Sequence, residues 1–410
     1  MKILVINSGS SSIKFQLFQM PEEEVIAKGL LEKIGEEISV FTQKSAKGDL
    51  ELRKRIQDHE EGINFIIGML TDARHGVIVS VKEISGIGHR VVHGGEEFSD
   101  SVMLTEEDVE KILAYADIAP LHNPPNIMGI RACRKFLPHA AQVAVFDTAF
   151  HHSIPPKAYL YGLPYEIYEK YRIRKYGFHG TSHRYVARRA GVMLNRPKED
   201  LNVITCHLGN GCSIAAVEKG RSVDTSMGFT PLEGLVMGTR CGDIDPAVIF
   251  YLEEKGHSAG AVNNLLNKKS GLLGISGISN DMRNLLAEKE KGNERAALAI
   301  DIFCYRIRKY IGAYMAVLGN TQGIVFTGGI GENNPFVRKE SLSGLESIGI
   351  EISDERNKRA IKGVEAEASK DESRVKVLVI PTNEELSIAQ DTYEIAHGEE
   401  MKAPDHADKG

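Results

Sequence analysis

The sequence predicts an α/β protein of two similar domains, and three observations carry that prediction. At 410 residues the chain exceeds what one hydrophobic core usually serves, so two domains are expected. Strand-like apolar runs alternate with amphipathic helical stretches along its length. One arrangement also occurs twice, about 200 residues apart: Asn7-Ser8-Gly9-Ser10-Ser11-Ser12-Ile13-Lys14 and His207-Leu208-Gly209-Asn210-Gly211-Cys212-Ser213-Ile214 each join two strands through a glycine turn near the start of a half.

The elements follow in order. Residues 2–7, 13–18, 25–31 and 38–42 read as successive strands of a meander, and 77–92 carries further apolar alternation. Thr105-Glu106-Glu107-Asp108 starts a helix, with a cap and acids in its first turn, and Val109, Ile112, Leu113 and Ala116 form its apolar face. Leu121-His122-Asn123-Pro124-Pro125 reads as an irregular loop, and 142–146 as a buried strand ending at Asp147. The domain boundary falls near 150, where a Tyr- and Pro-rich stretch begins. Residues 172–183 are loop-like and 183–194 helical. The second strand–turn–strand follows, then a long helix over 293–318 and a strand at 323–326 that runs into Thr327–Asn333. The last strand is 375–380. Thr382 with Glu385 reads as a capping box for a final helix ending near Gly398, leaving 399–410 as a polar, mobile tail.

Composition narrows the class. The chain is 42% hydrophobic and 26% charged, as soluble globular proteins are. A net charge of −6 without a long basic run argues against a nucleic-acid partner. Five cysteines with no C-x-x-C spacing suggest neither a disulfide framework nor a zinc site, and fit a reducing compartment. Only four consecutive apolar residues precede Asn7, too few for a signal peptide, and no apolar run is long enough to cross a membrane. A cytoplasmic protein is expected.

The turn Asn7–Lys14 admits two readings. Its Gly, Asn, four Ser and Lys offer backbone N–H groups, hydroxyls and one charge to phosphate oxygens. The same residues would also make a plain hydrophilic hairpin. The echo at 207–214 suggests a duplicated nucleotide-binding architecture.

Four stretches then carry a resemblance over nearly the whole chain: Val5–Lys14; Gly88-His89-Arg90-Val91-Val92-His93-Gly94-Gly95; His207–Gly211; and Gly328-Gly329-Ile330-Gly331-Glu332-Asn333. The sequence resembles the acetate and propionate kinase family, within the superfamily that includes sugar kinases, Hsp70 and actin. The resemblance implies two RNase H-like (actin-like ATPase) domains with ATP in the cleft between them, and a homodimer. The N-terminal domain would comprise 1–150 with 383–398, on the acyl and magnesium side, and the C-terminal domain 151–382, on the nucleotide side. The implied reaction is reversible transfer from ATP to acetate, giving acetyl phosphate and ADP.

The resemblance implies roles residue by residue. Asp147, His179, Arg240 and Arg90 would be catalytic. Arg90 has the planar fork that suits a carboxylate, and Arg240 would touch substrate and the moving phosphoryl. His179 would stabilise the transition state. Asp147 is described in the family as a proton donor or acceptor. Because acetate is already ionised at neutral pH, a role in orienting arginines or metal-bound water fits the chemistry better. Val92, Leu121, Phe178 and Pro231 would form an apolar acyl pocket. Lys14, Ser10, Ser12, His207, Leu208, Gly209, Asn210 and Gly211 would face the phosphates. Asp281, Met282 and Arg283 would lie beside adenine and ribose, and Gly329, Ile330, Gly331, Glu332 and Asn333 would hold the α-phosphate and adenosine. Asn7 and Glu384 would bind Mg²⁺, with Mn²⁺ as a substitute, and Glu385 would have only the capping role. The competing readings are propionate kinase, an actin- or Hsp70-like ATPase switch, and a sugar kinase. The switch has no use for two arginines aimed at a small carboxylate, and the sugar kinase needs a base and polar sugar contacts. A P-loop kinase is excluded because the chain has no Gly-Lys dipeptide.

Overall fold

The strand Lys2–Ser8 (β1) turns Ile3 and Val5 to one face and Leu4 and Ile6 to the other, and all four are buried. A strand that is apolar on both sides must be covered on both. In the computed structural model, which describes residues 1–117 and 123–402, Leu4 and Ile6 join a cluster with Ile63, Ile66, Ile87 and Cys133, contributed by helices His59–Leu70 and Asn123–Phe136 and by the sheet. Ile3 and Val5 pack with Val143, Val145, Ile388 and Ala389, the last two from the final helix, Glu384–Lys402. The chain divides into two units: Met1–Ala149 with the segment from Asn383 onward, and Phe150–Thr382.

The first unit continues with Ser12–Gln19 (β2), Glu24–Glu32 (β3), Ser39–Ser45 (β4), Gly48–Lys54 (β5), Ile84–Val91 (β6), Val102–Met103 (β7) and Ala141–Phe146 (β8). They form one sheet in the order β5-β4-β3-β2-β1-β6-β8-β7. β1 to β5 are an antiparallel meander, while β1, β6 and β8 run parallel. The second unit has Val203–Leu208 (β9), Cys212–Glu218 (β10), Arg221–Thr225 (β11), Gly323–Thr327 (β12), Ala366–Glu367 (β13) and Lys376–Val379 (β14), in the order β11-β10-β9-β12-β14-β13. Here too β9, β12 and β14 are parallel and the outer two strands return antiparallel. Each unit therefore repeats one plan: an antiparallel meander, of five strands in the first unit and three in the second, then two parallel strands and a short antiparallel edge. Each is an α/β unit of the expected class.

Three expectations need correction. Gly48–Lys54 is a strand the sequence reading left out, because its alternation rests on Leu50 and Leu52 alone among charged residues, as suits a sheet edge. Asn123–Phe136 is a helix, not a loop: Pro124 and Pro125 occupy its first turn, where backbone N–H groups have no helical partner. The final helix is capped by Asn383, whose Oδ1 accepts from the Leu386 N–H at 3.1 Å, and not by Thr382, whose hydroxyl lies 2.8 Å from Ser182 Oγ. That helix runs on to Lys402, past its expected end. Leu121 and residues 403–410 lie outside the described residues.

Gly88 in β6 allows the final helix to approach. A Cβ there would stand 2.4 Å from Thr392 Oγ1 and 2.5 Å from Ile388 Cγ2. Replacing Gly88 with Val should therefore destabilise the protein by about 1–3 kcal/mol through overpacking. Urea titration of the variant checks this; an unshifted midpoint would show that the helix does not depend on this close contact.

Candidate active site

In both units the proposed functional residues gather at the carboxyl ends of the parallel strands, where open α/β sheets present their loops. Asn7 is near the end of β1, Arg90 near the end of β6, and Asp147 just beyond β8. Glu384 opens the final helix. Asp147 is 2% exposed and grips Arg90 along one edge: Arg90 Nε donates to Oδ1 at 3.1 Å and Nη2 to Oδ2 at 2.5 Å. Arg90 Nη1 donates to Asn7 Oδ1 at 3.4 Å, and Glu384 Oε2 lies 4.0 Å from Arg90 Nε. Burial opposes the charge on Arg90, but Asp147 and Glu384 outweigh it and raise its pKa. Burial pushes the Glu384 carboxyl up to about 7; Arg90 pulls against this and Asp147 adds to it. Two carboxyl groups thus share one guanidinium, and repulsion from Asp147 helps keep Glu384 partly protonated near neutrality until a further cation arrives.

The turn after β1 is tied down through its carbonyl oxygens. Asn126 Nδ2 donates to Ser8 O at 2.8 Å, His59 Nε2 to Gly9 O at 2.6 Å, and the Ile34 N–H to Ser11 O at 3.0 Å. Gly9 N–H closes the turn onto Ser12 O at 2.8 Å. The turn is a hairpin, with Asn7 opposite Lys14 in the strand register. Lys14 forms an ion pair with Glu385, which corrects the purely capping role expected of that glutamate.

In the second unit the expected nucleotide segments converge on the β9–β10 turn. Gly238 N–H donates to Asn210 O at 3.0 Å, and Asn280 Nδ2 to Asn210 Oδ1 at 3.0 Å. Asp281 caps the helix Met282–Glu290 and pairs with Arg283 at 2.6 Å. A Cβ on Gly328, which has φ +75°, would press to 2.8 Å from Leu208 O. The segments 207–211, 238–240, 280–283 and 328–331 thus meet. A methyl at Gly211 would stand 3.5 Å from both Arg240 Nη1 and His179 Nε2, so the arginine and histidine flank the same turn. Among the described residues no carboxylate pairs with Arg240, and burial lowers its pKa. Its loop is clamped at the base: Asp243 Oδ1 accepts from the Gly234 N–H at 2.7 Å and Asp243 Oδ2 from Tyr310 Oη at 2.8 Å, while Arg306 Nη1 donates to Gly234 O at 3.2 Å.

His179 adopts φ +57° immediately before the helix Gly180–Met193. Gly177, just before the Phe178-His179 pair, is packed tightly: a Cβ there would lie 2.5 Å from Thr225 Cγ2 and 2.8 Å from His151 Cδ2. Glu332 and Asn333 hold their own turn together. Glu332 Oε1 accepts from the N–H groups of Gly328 at 2.9 Å and Thr382 at 3.0 Å, and Asn333 Nδ2 donates to Gly329 O at 3.2 Å. Val92 in the first unit and Phe178 in the second are buried, and Pro231 is half-buried.

The chain matches the model of the acetokinase family over residues 2–390. It belongs to that family. The acetate kinase of Methanosarcina mazei is 55% identical over 401 residues, covering 97% of this chain and 98% of the relative. That of Heliobacterium modesticaldum is 54% identical, covering 97% and 100%. Among solved structures, the acetate kinase of Porphyromonas gingivalis superposes with a TM-score of 0.93 at 46% identity, covering 96% of this chain and 99% of the other. A propionate kinase from Francisella tularensis gives 0.90 at 43%, with the same coverage.

Sequence reading of this acetokinase missed Arg338, which is fully buried. Its guanidinium donates to Gly331 O at 2.7 Å, Glu332 O at 3.0 Å, Asn357 Oδ1 at 2.7 Å, Asn357 O at 2.7 Å and Ala360 O at 2.9 Å. It thereby holds the end of the helix Gly328–Asn333. The arginine sits in an ordinary amphipathic helix, so no local pattern marked it. Burial lowers its pKa to about 10, which still leaves it charged near neutrality.

Buried histidines make stability depend on pH. Burial lowers the pKa of His89, His93 and His151 from 6.5 to about 4, and that of His183 well below 6.5. Each stays neutral when folded but takes a proton in the unfolded chain below 6.5. Unfolding therefore binds protons between those values, and stability falls as pH drops through the window, by about 1 kcal/mol per pH unit for each site. Thermal melts at constant ionic strength should show a lower midpoint near pH 5 than near pH 7. A flat profile would show that these rings protonate freely in the folded protein.

Proposed function

We propose that this acetokinase is an ATP:acetate phosphotransferase. An acetate oxygen attacks the γ-phosphorus of ATP, the bond from that phosphorus to the β–γ bridging oxygen breaks, and acetyl phosphate and ADP leave. The observation that carries the proposal is the charge arrangement. Asp147 takes the Nε–Nη2 edge of Arg90, which orients the guanidinium; its other end, where Nη1 makes only a long 3.4 Å bond to Asn7 Oδ1, would meet a substrate carboxylate. An ionised nucleophile needs no base, so Asp147 serves as an orienter. Catalysis is then positioning and charge neutralisation. By this reading the first unit holds acetate through Arg90, and the second holds ATP through the 207–211 and 328–331 turns. His179 and Arg240 donate to the transferring phosphoryl, and Lys14, Ser10 and Ser12 steady phosphate charge. Asp281 to Arg283 flank the nucleoside.

Magnesium fits the donor set of the first unit. Asn7 Oδ1 and the Glu384 carboxylate are hard oxygens, and the surplus negative charge around Arg90 favours a cation. Among the described residues no three His, Cys, Asp or Glu side chains cluster as a metal cage, which accords with an ion that keeps most of its waters and takes one or two protein oxygens. When bound, Mg²⁺, or Mn²⁺ in its place, would neutralise phosphate charge. In the first unit the buried Val92 would contact the acyl group, with acetate preferred over propionate. A homodimer would give the exposed Phe250, Tyr251 and Tyr305 a surface to cover. A cytoplasmic setting fits the free cysteines; among the described residues no helix is long and apolar enough to cross a membrane.

With ATP, Mg²⁺ and acetate the protein should form acetyl hydroxamate when hydroxylamine is present, and should do so faster than with propionate. ADP released without hydroxamate would instead support an ATPase switch. In the same assay Arg90→Ala should raise the KM for acetate and lower kcat, cutting kcat/KM about a hundredfold, the scale of a lost buried charge pair, while ATP binding persists. Arg90→Lys keeps the charge beside Asp147 and controls for folding. Unchanged acetate kinetics in both variants would remove Arg90 from the site.

A further inference from the structure

We infer that Thr205, His183 and Ser213 are positioning residues that set the tautomer of His179, so that its Nε2 carries the hydrogen offered to the transferring phosphoryl. The inference rests on the phosphotransferase reading above and adds three residues to it.

The four side chains form one line. Thr205 Oγ1 lies 2.7 Å from His183 Nδ1, His183 Nε2 lies 2.8 Å from Ser213 Oγ, and Ser213 Oγ lies 2.8 Å from His179 Nδ1. Thr205, His183 and Ser213 are all fully buried. A neutral imidazole carries one N–H and one bare nitrogen; if Ser213 accepted from both rings, its own buried hydrogen would have no acceptor among the described residues, so two continuous polarities remain. Read toward His179, Thr205 donates to His183 Nδ1, His183 Nε2–H donates to Ser213, and Ser213 donates to His179 Nδ1. The hydrogen of His179 is then on Nε2. Read the other way, His179 Nδ1–H donates to Ser213, Ser213 to His183 Nε2, and His183 Nδ1–H to Thr205.

Thr205 decides between them. In the second polarity its hydroxyl only accepts from His183, and the hydroxyl hydrogen must find another acceptor. Among the described residues Thr205 Oγ1 has no other hydrogen-bond partner, so that polarity buries an unsatisfied donor. In the first polarity every hydrogen along the line has an acceptor. His183 must stay neutral for this logic to hold. It is buried, with the rings of His151 at 5.5 Å and His207 at 6.4 Å facing it, and burial keeps its pKa well below the usual value. The arrangement moves no proton. It fixes which nitrogen of His179 is a donor, at the ring edge that flanks Gly211 alongside Arg240.

The test is ¹⁵N NMR of the full-length enzyme labelled at histidine, with His179 assigned by loss of its signals in His179→Gln, alongside steady-state kinetics. In the parent enzyme His179 should show a pyrrole-type Nε2 and a pyridine-type Nδ1. Thr205→Val should give both tautomers at His179 and lower kcat about tenfold, less than the hundredfold or more for deleting a donor outright, with both KM values within about twofold. Thr205→Ser should restore the parent spectrum and rate. A pyrrole-type Nδ1 at His179 in the parent overturns the inference whether or not the variants fold, as does a Thr205→Val enzyme with parent spectrum and kcat. Absence of acetyl hydroxamate from the parent would overturn the phosphotransferase reading instead, leaving the tautomer readable.

Discussion

The ion pair between the half-buried Arg90 and the buried Asp147 is the interaction around which the first unit's candidate site is arranged. One guanidinium stands against two carboxylates, Asp147 and Glu384, at the carboxyl ends of three parallel strands and the start of the final helix. A buried pair of this kind contributes little net stability, because both charges lose water. Its value is geometric: Asp147 holds Arg90 by one edge and so decides which edge a substrate can meet. The surplus carboxylate makes the neighbourhood favourable for a cation. Arg90, Asp147, Asn7 and Glu384 therefore form one electrostatic unit, and changing any member changes the protonation and reach of the others.

The second unit solves a different problem with uncharged groups. His151 and His183 are buried and kept neutral by that burial, and together with the half-buried His179 and His207 they are joined to Thr205, Ser213, Ser182 and Ser222 by hydrogen bonds of 2.7–2.8 Å. This network holds the imidazoles in fixed orientations. The cation of this region is Arg240, whose loop is locked by Asp243, Arg306 and Tyr310. Arg338 performs the same mechanical service for the 328–333 turn. Both units thus present preorganised donors and support them from behind with saturated polar contacts, which electrostatic catalysis requires if little is to move during reaction.

Much of this was legible in the sequence. The repeated strand–glycine turn–strand marked a duplication, and the sheet orders of the two units show it. The Thr105 cap and the long helix Glu294–Leu318 were readable from local chemistry. Other features were not. The Asn123–Phe136 helix was hidden because two prolines look like a break until they are seen in a first turn. The charged edge strand Gly48–Lys54 carried too few apolar residues to show its period. Glu385 looked like a cap residue because its spacing from Thr382 was right, yet Asn383 caps and Glu385 pairs with Lys14.

By itself the sequence determined the α/β class, the two-fold repetition and which charged and hydroxyl-bearing side chains sit at the glycine turns and strand ends. Those properties reside in local periodicity and in residue chemistry, which a linear pattern records. Only the tertiary structure decided which edge of Arg90 Asp147 occupies, that Arg338 is buried against the 328–333 turn, and that Thr205, His183 and Ser213 line up behind His179. These are contacts between residues far apart in the chain. Their geometry exists only once the sheets have formed, and no spacing along the sequence encodes it.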